Sequence, residues 1–184
     1  MATIRRVVAG HNSTGKSVVS SDEQIAGAEV PGLAGFEILD IWGSNKTHQY
    51  PDDGTKPAYS AFFAPVGGYR FMICVIPPDP EIGEVTDGDT RSDAADLEKT
   101  EAAFPGLLET FDPAIPGMHR SATVDLIYVM EGRCELELDD GVRVKLAAGD
   151  TFIESGTMHA WRNPYGVQCK IIAAIIGAEL AKDA

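Results

Sequence analysis

Two stretches of the chain hold histidine and carboxylate at spacings that can do chemistry. The first reads His119-Arg120-Ser121-Ala122-Thr123-Val124-Asp125-Leu126-Ile127-Tyr128-Val129. His119, Ser121, Asp125, Ile127 and Val129 share parity, so one continuous strand would point them all to the same face, and Ile127 and Val129 mark that face as interior. Inward polar groups cost stability unless they are hydrogen-bonded or ligate something. The second stretch carries His159 and, at the same parity, Trp161. A hairpin and a Gly149-Asp150 turn lie between, which lets His159 come beside the first group. Two imidazoles and a carboxylate converging in this way have two readings. His119, Asp125 and His159 form a divalent-metal site, or the histidines act as general acid and base without a metal while Asp125 orients one ring.

The surrounding residues have two readings each. Trp161 stacks on a substrate ring or fills the core. Arg70, within the apolar run YRFMICVI, pairs with a substrate carboxylate or occupies a sheet edge or the surface. Tyr128 has the opposite parity and belongs on the other side of its sheet. His11 and His48 sit in polar, turn-like sequence with no acid or thiol at ligand spacing, and read as surface residues.

The elements that must position these side chains are short β-type runs separated by Gly, Pro and Asp. Candidate strands cover 4–9, 17–20, 36–42, 58–64, 69–76, 124–130, 134–138, 142–146, 151–153 and 170–176. Asp140-Gly141, between ELEL and VRVKL, is a strong hairpin signal. Many short strands at this spacing indicate an all-β sandwich or barrel. Residues 81–117 differ, being acidic and poor in β signal. Within them Asp93 reads as the N-cap of a short helix that Pro105 ends. This insertion stops just before His119, as a lid beside the pocket or as a solvated loop.

Gly10-His-Asn-Ser-Thr-Gly15-Lys16-Ser17 matches the phosphate-binding pattern G-x-x-x-x-G-K-[ST]. That pattern works only where a helix starts at the Lys, so that its N-terminal N–H groups face the phosphates. Here Val18-Val19-Ser20-Ser21 follow, which favour a strand over a helix. The stretch reads as a turn between two strands.

Composition narrows the classes. The 184 residues carry 28 acidic and 15 basic side chains, a net charge of −13, which disfavours nucleic acid and anionic membrane surfaces as partners. Cys74, Cys134 and Cys169 lack C-x-x-C spacing, and two of them lie in apolar runs, as expected of reduced core thiols in a cytoplasmic protein. No stretch has the length of a signal peptide or a membrane span.

The two histidine stretches resemble the paired motifs of the cupin superfamily, G-x5-H-x-H-x3,4-E-x6-G and G-x5-P-x-G-x2-H-x3-N. The first is matched by His119, Ser121, Asp125 and Gly132, the second by Gly149-Asp150, Gly156-Thr-Met-His159 and Asn163. Ser121 stands where the family has a second His, and Asp125 where it has Glu. The second motif is one residue shorter, with Ser155 near the usual Pro. The resemblance spans residues 117–176, about a third of the chain. It implies an all-β cupin jelly-roll β-barrel forming one domain over 1–184, with N-terminal strands over 1–30 as an arm. It also implies a site for iron, manganese, nickel or zinc, reduced here to His119, Asp125 and His159. Ser121 then becomes a weak ligand or a substrate hydrogen-bond donor. A homodimer joined through sheet edges is expected by the same analogy. The activities it suggests are a lyase or isomerase working on a small organic or polyketide-like acid, an Fe(II) dioxygenase, or a non-catalytic small-ligand module.

Overall fold

Alternating apolar and polar residues, broken by turn formers, produce eleven strands in the computed structural model, which describes residues 1–80 and 94–179. They are β1 (Thr3–His11), β2 (Ser17–Ala26), β3 (Ala28–Glu29), β4 (Glu37–Ser44), β5 (Tyr69–Ile76), β6 (Thr123–Glu131), β7 (Arg133–Leu138), β8 (Arg143–Ala147), β9 (Thr151–Ser155), β10 (His159–Arg162) and β11 (Cys169–Gly177). They form a six-stranded sheet of order β3-β4-β5-β11-β6-β9, a three-stranded sheet β10-β7-β8, and the hairpin β1-β2. The core lies between the two larger sheets. Ile127, Val129, Ile171, Ala173 and Ile175 of one meet Cys134, Leu136 and Leu146 of the other in a single apolar cluster. All are inward by the period-two rule. This is the expected all-β jelly roll.

The match to the N-terminal phosphate-binding pattern is a hairpin tip. Asn12 Oδ1 accepts from the N–H groups of Thr14 and Lys16, and Gly15 takes φ 76° to turn the chain. No helix follows, because β2 begins at Ser17.

Two expectations need correction. Residues 58–64 are not a strand. The carbonyls of Ala61, Phe62 and Phe63 accept from the Arg70 guanidinium, and Phe62 N–H donates to Pro105, so that backbone has no ladder to join. The strand carrying Asp125 begins at Thr123, not His119. The helix α1 covers Ala94–Ala103, while Asp93, its expected cap, lies outside the described residues. After α1 the chain is packed on the barrel, since Phe104 and Leu107 are buried in the main cluster and Phe111 packs against it. The expected lid over 81–117 falls partly outside the described residues.

Candidate active site

β10 exists because His159–Arg162 pair with β7, setting His159 opposite Leu138 and Trp161 opposite Leu136. His119 joins this sheet and leaves the plane of β6. Its N–H donates to the His159 carbonyl at 2.9 Å, and the His159 N–H returns the bond at 3.0 Å. Arg120 N–H donates to Thr110. Those bonds draw residues 119–120 away from β6, which is why the continuous strand expected from 119 to 129 is broken. They also bring the two imidazoles into contact, with ring centroids 4.2 Å apart. Phe111 flanks His119 at 5.1 Å, and Trp161 stands edge-on to His159 at 6.3 Å.

Both rings are held in one tautomer. Nδ1 of His119 is 3.1 Å from the Gly117 carbonyl, and Nδ1 of His159 is 3.0 Å from the Thr157 carbonyl. A carbonyl can only accept, so each Nδ1 carries the proton and each Nε2 keeps a free lone pair. His159 is 3% exposed and His119 is half-buried, so His119 stands nearer the solvent. Burial, with repulsion from a charged His159, pushes His119 down to about 4. The pair therefore does not carry two positive charges at neutral pH.

Asp125 sits on the inner face of β6, opposite Ile175 of β11 on one side and Glu154 of β9 on the other. Its Oδ1 is buried with no partner. Burial pushes its carboxyl up to about 7; a Thr123 hydrogen bond opposes the rise and the charge of Glu154 adds to it. Ser121 is buried, and its hydroxyl is 2.6 Å from that of Thr123.

The carboxylate that approaches the imidazole pair is Glu154, which is not among the expected site residues. Its Oε1 accepts from the backbone N–H and hydroxyl of Thr157 and lies 3.8 Å from His159 Nδ1, while Oε2 is buried without a partner. Glu154 shares parity with Phe152, which packs on the core, and that alternation was the available signal. What it could not supply is the β6–β9 register that sets Glu154 beside Asp125.

The expected metal set fits in kind but not in place. Two imidazoles with free Nε2 atoms and an orphaned carboxylate oxygen are suitable donors for a divalent cation. Yet among the described residues no three His, Cys, Asp or Glu side chains converge as a ligand group. Register sets Asp125 opposite Glu154, and it is Glu154 whose Oε1 lies 3.8 Å from His159 Nδ1.

Arg70 has a different task from the expected contact with a substrate carboxylate. It is 1% exposed. Its guanidinium donates to the carbonyls of Ser44, Ala61, Phe62, Phe63 and Tyr69 and to Asn45 Oδ1, with the Tyr59 ring stacked at 3.9 Å. Nε and Nη2 pin residues 61–63 to β5, while Nη1 bonds the Ser44 and Tyr69 carbonyls and Nη2 also reaches Asn45. Trp161 packs against the main core cluster as well as edge-on to His159.

Residues 107–175 match the family model described as a cupin domain. Over 53 residues the chain is 43% identical to oryzines biosynthesis cluster protein J of Aspergillus oryzae, covering 29% of this chain and 30% of that protein. Over 46 residues it is 41% identical to phomopsin biosynthesis cluster protein C' of Diaporthe leptostromiformis, covering 25% and 24%. The chain thus spans about a third or less of the curated relatives it matches. A Cupin 2 conserved barrel domain protein from Salinispora arenicola superposes at TM-score 0.42 and 17% identity, covering 78% of this chain and 76% of that one. The stretch that the cupin domain model matches, residues 107–175, holds both histidines of the pair.

Proposed function

We propose that the protein is a small-molecule enzyme of the lyase or isomerase type, in which His119 and His159 move a proton on a small organic acid within a biosynthetic route. The observation that carries this reading is the imidazole pair, 4.2 Å apart, with both Nδ1 atoms tied to carbonyls. One neutral Nε2 accepts a proton from carbon or oxygen. The neighbouring ring, once protonated, returns it at a second position. Two adjacent rings that share one charge suit a transfer with no net change in protonation, as in dehydration, cyclisation or isomerisation. Glu154 Oε1 stands 3.8 Å from His159 Nδ1, on the side of the ring away from Nε2. The names of the fungal relatives, which belong to biosynthesis clusters, support a place in secondary metabolism. A divalent metal on the two Nε2 atoms would supply Lewis acidity, and it needs further ligands from the substrate or from a moved carboxylate.

The test replaces the gene in its own host with His119→Asn and His159→Asn alleles, and untargeted mass spectrometry follows the metabolites. The proposal expects both alleles to accumulate the compound that the gene deletion accumulates. That compound would be an isomer of the normal product, or differ from it by the elements of water or carbon dioxide. A difference of added oxygen atoms assigns the site to a dioxygenase and overturns the proposal. An unchanged profile with both folded variants removes catalysis by the pair and leaves a binding role. Elemental analysis of untagged protein, with activity before and after chelation, settles whether a metal takes part.

A further inference from the structure

His119 and His159 come from different elements, and something must hold the first ring to the second. His159 lies on β10, the edge strand of the three-stranded sheet, and the paired backbone bonds between residues 119 and 159 attach His119 beside it. Those bonds fix the His119 backbone but leave its ring free to turn. The ring is fixed by the Gly117 carbonyl, 3.1 Å from Nδ1. The aim of that carbonyl therefore decides which nitrogen of His119 keeps a lone pair.

Arg162, the last residue of β10, reaches the turn that carries this carbonyl. Its Nη2 donates to the Pro116 carbonyl at 2.9 Å. That oxygen belongs to the planar peptide joining Pro116 to Gly117, so holding it holds the plane from which Gly117 continues. Nη1 lies against Gly117 itself, where an added Cβ would come within 2.9 Å of it, and Gly117 turns the chain with φ 77°. Glu137 of β7 grips the same guanidinium. Its Oε2 accepts from Arg162 Nε at 2.6 Å, and the two side chains are only 21% and 16% exposed, Arg162 first. A charge-assisted bond in that setting is better ordered than an open surface ion pair. Arg143, on β8, also donates to Glu137 Oε2, at 3.3 Å.

We infer that Arg162 is a positioning residue for the imidazole pair: by tying the Pro116-Gly117 turn to the strand that carries His159, it keeps the His119 proton on Nδ1 and leaves Nε2 unprotonated. One short strand thus carries the second histidine and the side chain that sets the first. The consequence for catalysis rests on the proton-transfer reading of the pair, because only an unprotonated Nε2 takes up a proton there.

The test reads the ring nitrogens in full-length, chelator-treated protein with isotope-labelled histidine, by two-bond proton–nitrogen correlation at about pH 8, where imidazole is neutral. Wild-type His119 and His159 are each expected as the Nδ1–H form. Arg162→Met removes the donors and is expected to shift the His119 ratio toward Nε2–H by at least about fivefold, the worth of one ordinary hydrogen bond, with His159 unchanged. Arg162→Lys keeps a charged donor and is expected to return the ratio toward the wild type. Should Arg162→Met not fold, Glu137→Gln loosens the guanidinium and is expected to shift His119 the same way by at least about twofold. Arg143→Met is expected to leave His119 unchanged. A folded Arg162→Met with the wild-type ratio overturns the inference, and so does a wild-type His119 that is mainly Nε2–H. An equal shift of His159 would mean that β10 has loosened as a whole, and a matching shift in Arg143→Met would trace the effect to lost surface charge; either also overturns it. No substrate enters this measurement. A failed catalytic reading, seen as an unchanged metabolite profile with folded His119→Asn and His159→Asn, is therefore distinguished from a failure of this inference.

Discussion

Replacing Asp125 by Asn removes a titrating group from the barrel interior while keeping its shape, and the effect on stability should depend on pH in a defined direction. Asp125 has an ordinary value of 3.8 and is pushed up to about 7 in the fold. A group raised in this way contributes stability that is fully present below the unfolded value and is lost as pH rises through the folded one. At about 1.4 kcal/mol per pH unit, holding the carboxyl protonated costs the wild type up to about 4 kcal/mol once pH passes 7. Between about pH 5 and pH 8 the loss is roughly 2–3 kcal/mol. His119 acts in the opposite sense. Its value is lowered to about 4, so it loses stability as pH falls from 6.5 toward 4. Taking the difference between wild type and Asp125→Asn cancels that contribution. Urea denaturation of chelator-treated protein at both pH values is the assay, with unchanged m-values required for the comparison. The variant should gain roughly 2–3 kcal/mol on the wild type from the lower to the higher pH. A difference constant within about 0.5 kcal/mol would refute the claim that burial raises Asp125 well above its ordinary value.

Three further outcomes are expected. Glu154→Ala leaves the Thr157 N–H without its acceptor and should cost about 1–3 kcal/mol in chemical denaturation, whereas Glu154→Gln keeps an acceptor and should cost far less. Equal losses would mean that Thr157 does not depend on that oxygen. Arg70→Met strips the donors from five carbonyls and should destabilise by more than about 3 kcal/mol; Arg70→Lys should recover little, because one ammonium cannot reach them all. Gly132→Ala should lower stability by more than about 1 kcal/mol, because Gly132 has φ 73° and a Cβ there would collide with the Gln168 carbonyl; an unchanged melting temperature would contradict this.

The strands of the barrel were largely legible because their signals are local. Tyr69–Ile76 was readable at its observed limits, since its apolar residues and the flanking Gly-Gly and Pro-Pro pairs lie within a few positions of each other. The Asp140-Gly141 turn was legible for the same reason, as both residues take positive φ where β7 gives way to β8. Residues 58–64 have a strand composition but serve as acceptors for a guanidinium from β5, a demand invisible in their own sequence. β10 was too short to read, and it depends on pairing with β7 more than on propensity.

By itself the sequence determined the all-β class, the strand faces, and that His119 and His159 belong together, because period-two alternation and turn chemistry act over a few residues and the two motifs name their own spacing. Tertiary structure alone decided which carboxylate stands with which histidine. That depends on register between strands far apart in sequence, where one residue of slip exchanges the two faces of a strand. Leaving β6 at Thr123 sent His119 to β10, and the β6–β9 register set Asp125 against Glu154. The carboxylate beside His159 is therefore Glu154, while Asp125 is held with Glu154 in the barrel wall.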